Sequence, residues 1–194
     1  TKRTRTLTNK AQLTRNKIKS AALWCLNRHG YRNIQTADVT KRAGVANGLF
    51  YRYFRDLRDV THELCEDLFG GINHEAQSVP FSLHPFDWIY EMHVIAGKRF
   101  ASNPGLLACM FELPGEFGEF GEIWKSSAHT WNLQVARFLS IVGKLPPTSA
   151  NQLAFILGAM AEGIYFQALI RHTKDLTDIG ESPEVISEII AVVW

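Results

Sequence analysis

The stretch Thr36–Phe54, TADVTKRAGVANGLFYRYF, decides the fold. It divides at Ala43-Gly44-Val45 into two short helical segments, one from Thr36 to Ala43 and one over about residues 46–53. Thr36 is placed to cap the first, and Asp38 lies in its first turn, where a carboxylate complements the helix dipole. A glycine at position 44 supplies the tight or left-handed backbone that a helix-turn-helix needs. Val39, Ala43, Val45 and Phe50 are the apolar positions that pack the pair together. Asn47, Tyr51, Arg52 and Tyr53 are left for the outer face of the second segment. Such donors and aromatics reach phosphates and base edges: Asn pairs adenine and Arg pairs guanine in bidentate fashion.

Upstream, Ile18, Ala21, Ala22, Cys25, Leu26 and His29 follow the spacing of one helical face from Thr14 onward, and Gly30 is placed to end that helix. Residues 1–12 form a basic, Thr-rich arm without apolar period, expected to be flexible or to order on a partner, for example along a DNA groove. Downstream, Asp56 is an N-cap for a helix carrying Val60, Leu64 and Leu68, with Gly70-Gly71 expected at its end. Residues 13–58 thus read as a three-helix helix-turn-helix domain and 59–194 as a second, larger helical domain.

In that second part, residues 72–84 read as a loop punctuated by Pro80 and Pro85. Helical periodicity predicts helices at about 85–101, 104–112, 119–143, 149–173 and 183–194. Asn103-Pro104 and Pro146-Pro147 separate them, and Ser182-Pro183 opens the last. No strand alternation is found, so the class is all-α.

Charge is divided between the halves. Residues 1–68 carry a net +8 and residues 69–194 a net −6, out of +2 for the 194-residue chain. A basic end joined to an acidic body fits a nucleic-acid reader, and equally a solvated basic surface. Three well-separated cysteines, Cys25, Cys65 and Cys109, predict buried thiols in a reducing compartment, hence a cytoplasmic protein. The basic N-terminus reads as no secretory signal, and the longest apolar run, Leu153–Met160, is short for a membrane span.

The run from the first helix through Thr36, Ala43-Gly44-Val45, Gly48, Phe50, Tyr51 and Phe54 into a helix opening near Asp56 resembles the tetracycline-repressor (TetR) family of regulators. The resemblance covers about the first 60 residues; beyond Gly70 it is one of length and helix count. It implies a homodimer that binds a pseudo-palindrome in double-stranded DNA, and a C-terminal domain that binds a small-molecule effector. It also implies dimerisation through the last two helices. The implied DNA-binding residues are Thr36, Ala46, Asn47, Leu49, Tyr51, Arg52 and Tyr53. Ala46 and Leu49 stand where the family often has Ser or Thr, and Leu57 where it often has Lys, so thymine-methyl contacts and Arg55 or Arg58 are the expected replacements.

The body is rich in large aromatics, most of them expected in the core. The candidate ligand-binding residues are Trp88, His93, Phe111, Trp124, Trp131, Glu162 and Phe166; His129 and Gln167 are further polar groups able to orient a ligand. Glu162 interrupts an apolar helix. It reads first as an interface hydrogen bond and second as an anchor for a cationic or hydroxylated ligand. The acidic group Glu112, Glu116, Glu119 and Glu122 reads as a solvated face. His62 and Glu66 share a helix face beside Cys65 without a third ligand at metal-site spacing, so no metal and no cofactor are expected. No catalytic motif is recognisable, and the chain reads as a non-enzyme. The competing reading is a helical small-molecule-binding protein or enzyme in which the helix-turn-helix only packs.

Overall fold

The computed structural model describes residues 9–82, 84–172 and 182–193. Among them are nine α-helices and no strand: α1 Asn9–His29, α2 Thr36–Ala43, α3 Asn47–Phe50, α4 Leu57–Ala76, α5 Pro85–Ser102, α6 Pro104–Glu112, α7 Gly118–Ile141, α8 Pro147–Tyr165 and α9 Pro183–Val193. The all-α class and the helix-turn-helix followed by a helical body are as expected.

Several boundaries differ from the sequence reading. The first helix begins at Asn9, so residues 9–12 of the expected flexible arm are helical; residues 1–8 lie outside the described residues. Its buried face is Ile18, Ala21, Ala22, Cys25 and Leu26, whereas His29 is exposed in the last turn. Gln35, not Thr36, is the N-cap of α2: its amide donates to Asp38 Oδ2 at 2.8 Å and its carbonyl accepts from the Asp38 amide at 3.0 Å, and Thr36 is the first helical residue. Gly44 holds φ +66° at the helix end, the left-handed conformation that the turn requires.

The largest difference is in α4. It runs straight through Gly70-Gly71 to Ala76, taking in five residues read as loop. Its buried stripe Val60, Leu64, Cys65, Leu68, Phe69, Ile72 and Ala76 continues past the glycines. Burial of such side chains contributes about 1.5–3 kcal/mol each, which outweighs the ~1 kcal/mol helix penalty of a glycine. The expected helix 149–173 begins at Pro147 and passes into a π-helical turn at Phe166–Ile170; residues 173–181 and Trp194 lie outside the described residues.

One apolar core runs from Ile18 and Leu26 of α1, through Val39, Phe50 and Phe54, to Leu107, Phe120, Tyr165 and Ile190 of the body. A second cluster, centred on Trp88, Met92, Val135 and Phe138, closes the far end where α5, α7 and α8 meet. The three thiols are free and buried, and burial pushes Cys109 up to about 12. α4 therefore has no seam at residue 58: its first turns pack on α1 and its last ones belong to the body.

The reader is also joined to the body directly. Gly105 of α6 lies against the α1 backbone, so close that a Cβ there would overlap the Leu26 carbonyl and the Asn27 amide. Asn27 completes the joint: its Oδ1 accepts from the Gly105 amide at 3.0 Å and its Nδ2 donates to the Ser102 carbonyl at 3.3 Å.

Candidate functional site

α2 and α3 present the residues expected to meet DNA. Ala46 is the exposed N-cap of α3, and Arg52 is exposed in the turn that follows the helix. Tyr51 is 59% exposed, with its ring edge-on to buried Phe50 at 5.5 Å. Asn47 is exposed and its Oδ1 accepts a hydrogen bond from the Thr40 hydroxyl, which ties its side chain to α2. Thr36 and Leu49 are half-buried, and Tyr53 packs partly into the core.

The two arginines expected to replace a lysine at Leu57 are differently placed. Arg55 is held by Asp59, with Nη2 at 2.9 Å from Oδ1, but its side chain remains largely exposed. Arg58 turns to the body instead: it pairs with Glu119 at 3.1 Å and lies over the Phe117 ring at 5.2 Å.

The acidic group at the start of α7 is likewise not a purely solvated face. Glu119 holds Arg58, and Glu116 holds Arg32 at 3.1 Å. Tyr31 meets Phe117 edge-on at 6.2 Å and His62 meets Phe120 at 5.9 Å. On the opposite flank of α4, Glu63 takes both Arg15 and Lys19 of α1, and Lys19 also reaches Asp67. Burial acts to raise the Glu63 pKa, but hydrogen bonds from Arg15 and Lys19 outweigh it, so the carboxyl is held below its usual range.

Within the body, α4, α5, α7 and α8 surround a cavity of about 170 Å³. Four of the seven ligand candidates line it: His93, Trp124, Trp131 and Glu162. Trp88 does not. It stacks on Phe138 at 4.0 Å, donates its indole N–H to the Val79 carbonyl at 3.4 Å, and belongs to the second core cluster. Phe111 and Phe166 pack on each other at 4.6 Å behind Trp124, one layer outside the wall. His129 is exposed on α7 and does not line the cavity, nor does Gln167.

The remaining wall was not singled out in the sequence: Phe69 and Ile72 from α4, Phe100 from α5, Ser127 and Asn132 from α7, and Phe155, Gly158 and Tyr165 from α8. Gly158 faces the Asn132 side chain, where a Cβ would crowd the amide oxygen. For Phe69 and Phe100 no sequence signal separates wall from core.

The aromatic wall is continuous. Trp124 meets Phe69 at 5.4 Å, Phe69 meets Phe100 at 5.8 Å, and Phe100 meets Tyr165 at 5.3 Å. Tyr165 meets His93 at 6.1 Å, and His93 meets Trp131 at 5.5 Å. The Tyr165 hydroxyl donates to the His93 carbonyl at 2.9 Å, locking α8 to α5. Burial drives His93 down to about 3, so its ring is neutral at physiological pH. Glu162 is half-buried; burial raises its pKa, opposed by a hydrogen bond from the Trp124 indole. Among the described residues no group of three His, Cys, Asp or Glu could hold a metal ion.

A helix-turn-helix unit fused through one helix to a cavity-bearing helical body is the architecture of a one-component transcriptional regulator. Residues 18–64 match the profile of the family described as bacterial regulatory proteins, tetR family. Solved structures agree in fold. A tetR-family transcriptional regulator from Streptomyces coelicolor superposes with a TM-score of 0.75 at 12% identity, over 92% of this chain and 78% of that one. A transcriptional regulator from Saccharomonospora viridis in complex with choline gives 0.72 at 15% identity, over 92% and 94%. The transcriptional regulator FadR from Bacillus subtilis in complex with stearoyl-CoA gives 0.66 at 17% identity, over 92% and 96%. No relative is found among curated protein sequences.

Proposed function

We propose that this chain is a cytoplasmic, ligand-responsive repressor that binds a pseudo-palindromic operator as a homodimer and releases it when a small, largely apolar molecule fills the body cavity. The observation that carries this reading is the double link between cavity and reader. Phe69 and Ile72 of α4 and Trp124 of α7 line the cavity. The N-terminus of α4 follows α3 after one turn, Glu119 at the start of α7 grips Arg58, and Glu116 just before α7 grips Arg32. A ligand that parts α4 from α7 acts on the reader through both helices. Moving a population from almost all bound to almost all released takes a preference of about 5.5 kcal/mol for the released geometry.

Dimerisation through α8 and α9 is supported by apolar side chains left in solvent. Phe155 and Ile156 of α8 are 67% and 62% exposed, and Val192 of α9 is 71% exposed. Pro147–Ile170 has the length and apolarity of a membrane span, with a mean hydropathy of 1.7 over its best window. One side of it, Ala150, Ala154, Leu157, Ala161 and Tyr165, is already buried against the body. A helix docked along one face and apolar on the other is what a second copy of α8 would cover. A two-fold dimer also presents two α3 segments to successive major grooves.

Complexes of two fold neighbours, one with choline and one with stearoyl-CoA, support ligand binding by this fold without agreeing on a ligand. The test is selection of random duplex DNA on the purified protein at moderate salt. A two-fold-symmetric motif is the expected result. A folded dimer that enriches no sequence would favour the alternative, a helical ligand-binding protein or enzyme whose helix-turn-helix only packs.

A further inference from the structure

Resting on the reading of the body cavity as the effector site, we propose that its ligand is a small organic cation, a quaternary or protonated amine with apolar substituents, held by Glu162 against the aromatic belt. Three features of the cavity select this chemistry. The first is charge. Among the described residues lining it, Glu162 is the one charged group, and there is no Lys or Arg. His93 stays neutral, so a carboxylate or phosphate head would meet no compensating charge inside. An anion placed in such an apolar enclosure is strongly disfavoured, whereas a cation meets a carboxylate.

The second is the wall. The unbroken sequence of rings Trp124, Phe69, Phe100, Tyr165, His93 and Trp131 supplies aromatic surface from four helices. Aromatic faces attract a cation through the ring quadrupole, most strongly for Trp and when the cation is desolvated. A neutral apolar ligand gains burial from the same rings but nothing from their polarisation or from Glu162.

The third is size. At about 170 Å³ the cavity is close to the ~150 Å³ of an apolar cavity that takes benzene and well under the ~300 Å³ lower range of drug-sized sites. It suits a molecule or cationic head of roughly five to ten heavy atoms. Glu162 is meanwhile an incompletely compensated group: burial pushes its pKa up, and the hydrogen bond from the Trp124 indole offsets that only in part. An arriving cation relieves that desolvation, which gives the charged ligand an advantage over its neutral isostere.

The experiment uses three probes of nearly equal shape, tetramethylammonium, tert-butanol and pivalate, titrated into full-length protein. Binding is read from the indole N–H resonances of Trp124 and Trp131, not from DNA release. The expected result is tetramethylammonium at least tenfold tighter than tert-butanol, pivalate without saturable effect, and loss of most of the cation preference in Glu162→Gln. Equal or tighter binding of tert-butanol, saturable binding of pivalate, or an unchanged preference in Glu162→Gln would each overturn the proposal. The wild-type ratio decides if that variant fails to fold. Equal binding of all probes by a protein that still selects a symmetric operator would overturn the cation and leave the regulator reading standing. Cation-selective binding without any operator would uphold the cation and overturn the regulator.

Discussion

The reader and the cavity are built from the same kind of helix, yet they are assembled on different scales. In the reader, Val39, Val45, Phe50 and Phe54 meet within one short stretch, and the turn at Gly44 fixes how they meet. The cavity is closed by Phe69, His93, Trp131 and Tyr165, one from each of four helices that are distant in sequence. A locally encoded unit keeps its geometry when its surroundings shift. A unit assembled from distant helices changes shape when any of them moves, which suits the sensing end of a switch.

The sharpest way to break this comparison is at the two ends of the body. Trp88 is core and Trp131 is cavity wall, so Trp88→Ala should cost about 4 kcal/mol in urea unfolding. Trp131→Ala should cost clearly less and act mainly on ligand binding. Equal losses would mean that the cavity wall is as tightly packed as the core.

Next is the joint between the two units. Gly105→Ala drives a Cβ into the α1 backbone, which cannot yield as a side-chain tip would. The expected loss is about 3 kcal/mol, accompanied by weaker coupling between ligand and DNA. Unchanged stability would show that α1 and α6 part freely, and the reader would then be independent of the body.

A smaller effect separates the halves by pH. His93 is held near 3 in the fold, below its usual value of 6.5, so the unfolded chain takes up the proton first. Its contribution is therefore constant above pH 6.5 and is lost as pH falls, by about 2 kcal/mol at pH 5. His93→Gln should remove that slope. The paired carboxylates Asp59, Glu63 and Glu75, all held low, lose their contribution at more acid pH, beginning in the ordinary carboxylate range and ending below it.

What could be read from the sequence follows the same division. Helix-turn-helix, caps at Asp56 and Ser182, and the helices opening at Pro85, Pro104 and Pro183 were legible because each depends on residues a few positions apart. The continuation of α4 through Gly70-Gly71 was not, because tertiary burial of Phe69, Ile72 and Ala76 overrides a local stop signal. Glu116 and Glu119 looked solvated because their partners, Arg32 and Arg58, lie far back in the chain. The aromatics were recognised as a set, but only the packing assigns Trp88 to the core, Phe111 and Phe166 to the layer behind, and Trp124 and Trp131 to the wall.

The central claim is that the exposed end of α3 reads DNA. It is tested most directly by the affinity for a selected symmetric duplex across a salt series, in wild type, Tyr51→Phe and Arg52→Ala. The account predicts a steep fall in affinity with salt for wild type, at least tenfold weaker binding by Arg52→Ala with a smaller salt slope, and unchanged melting temperatures. Affinity that neither substitution alters would contradict it.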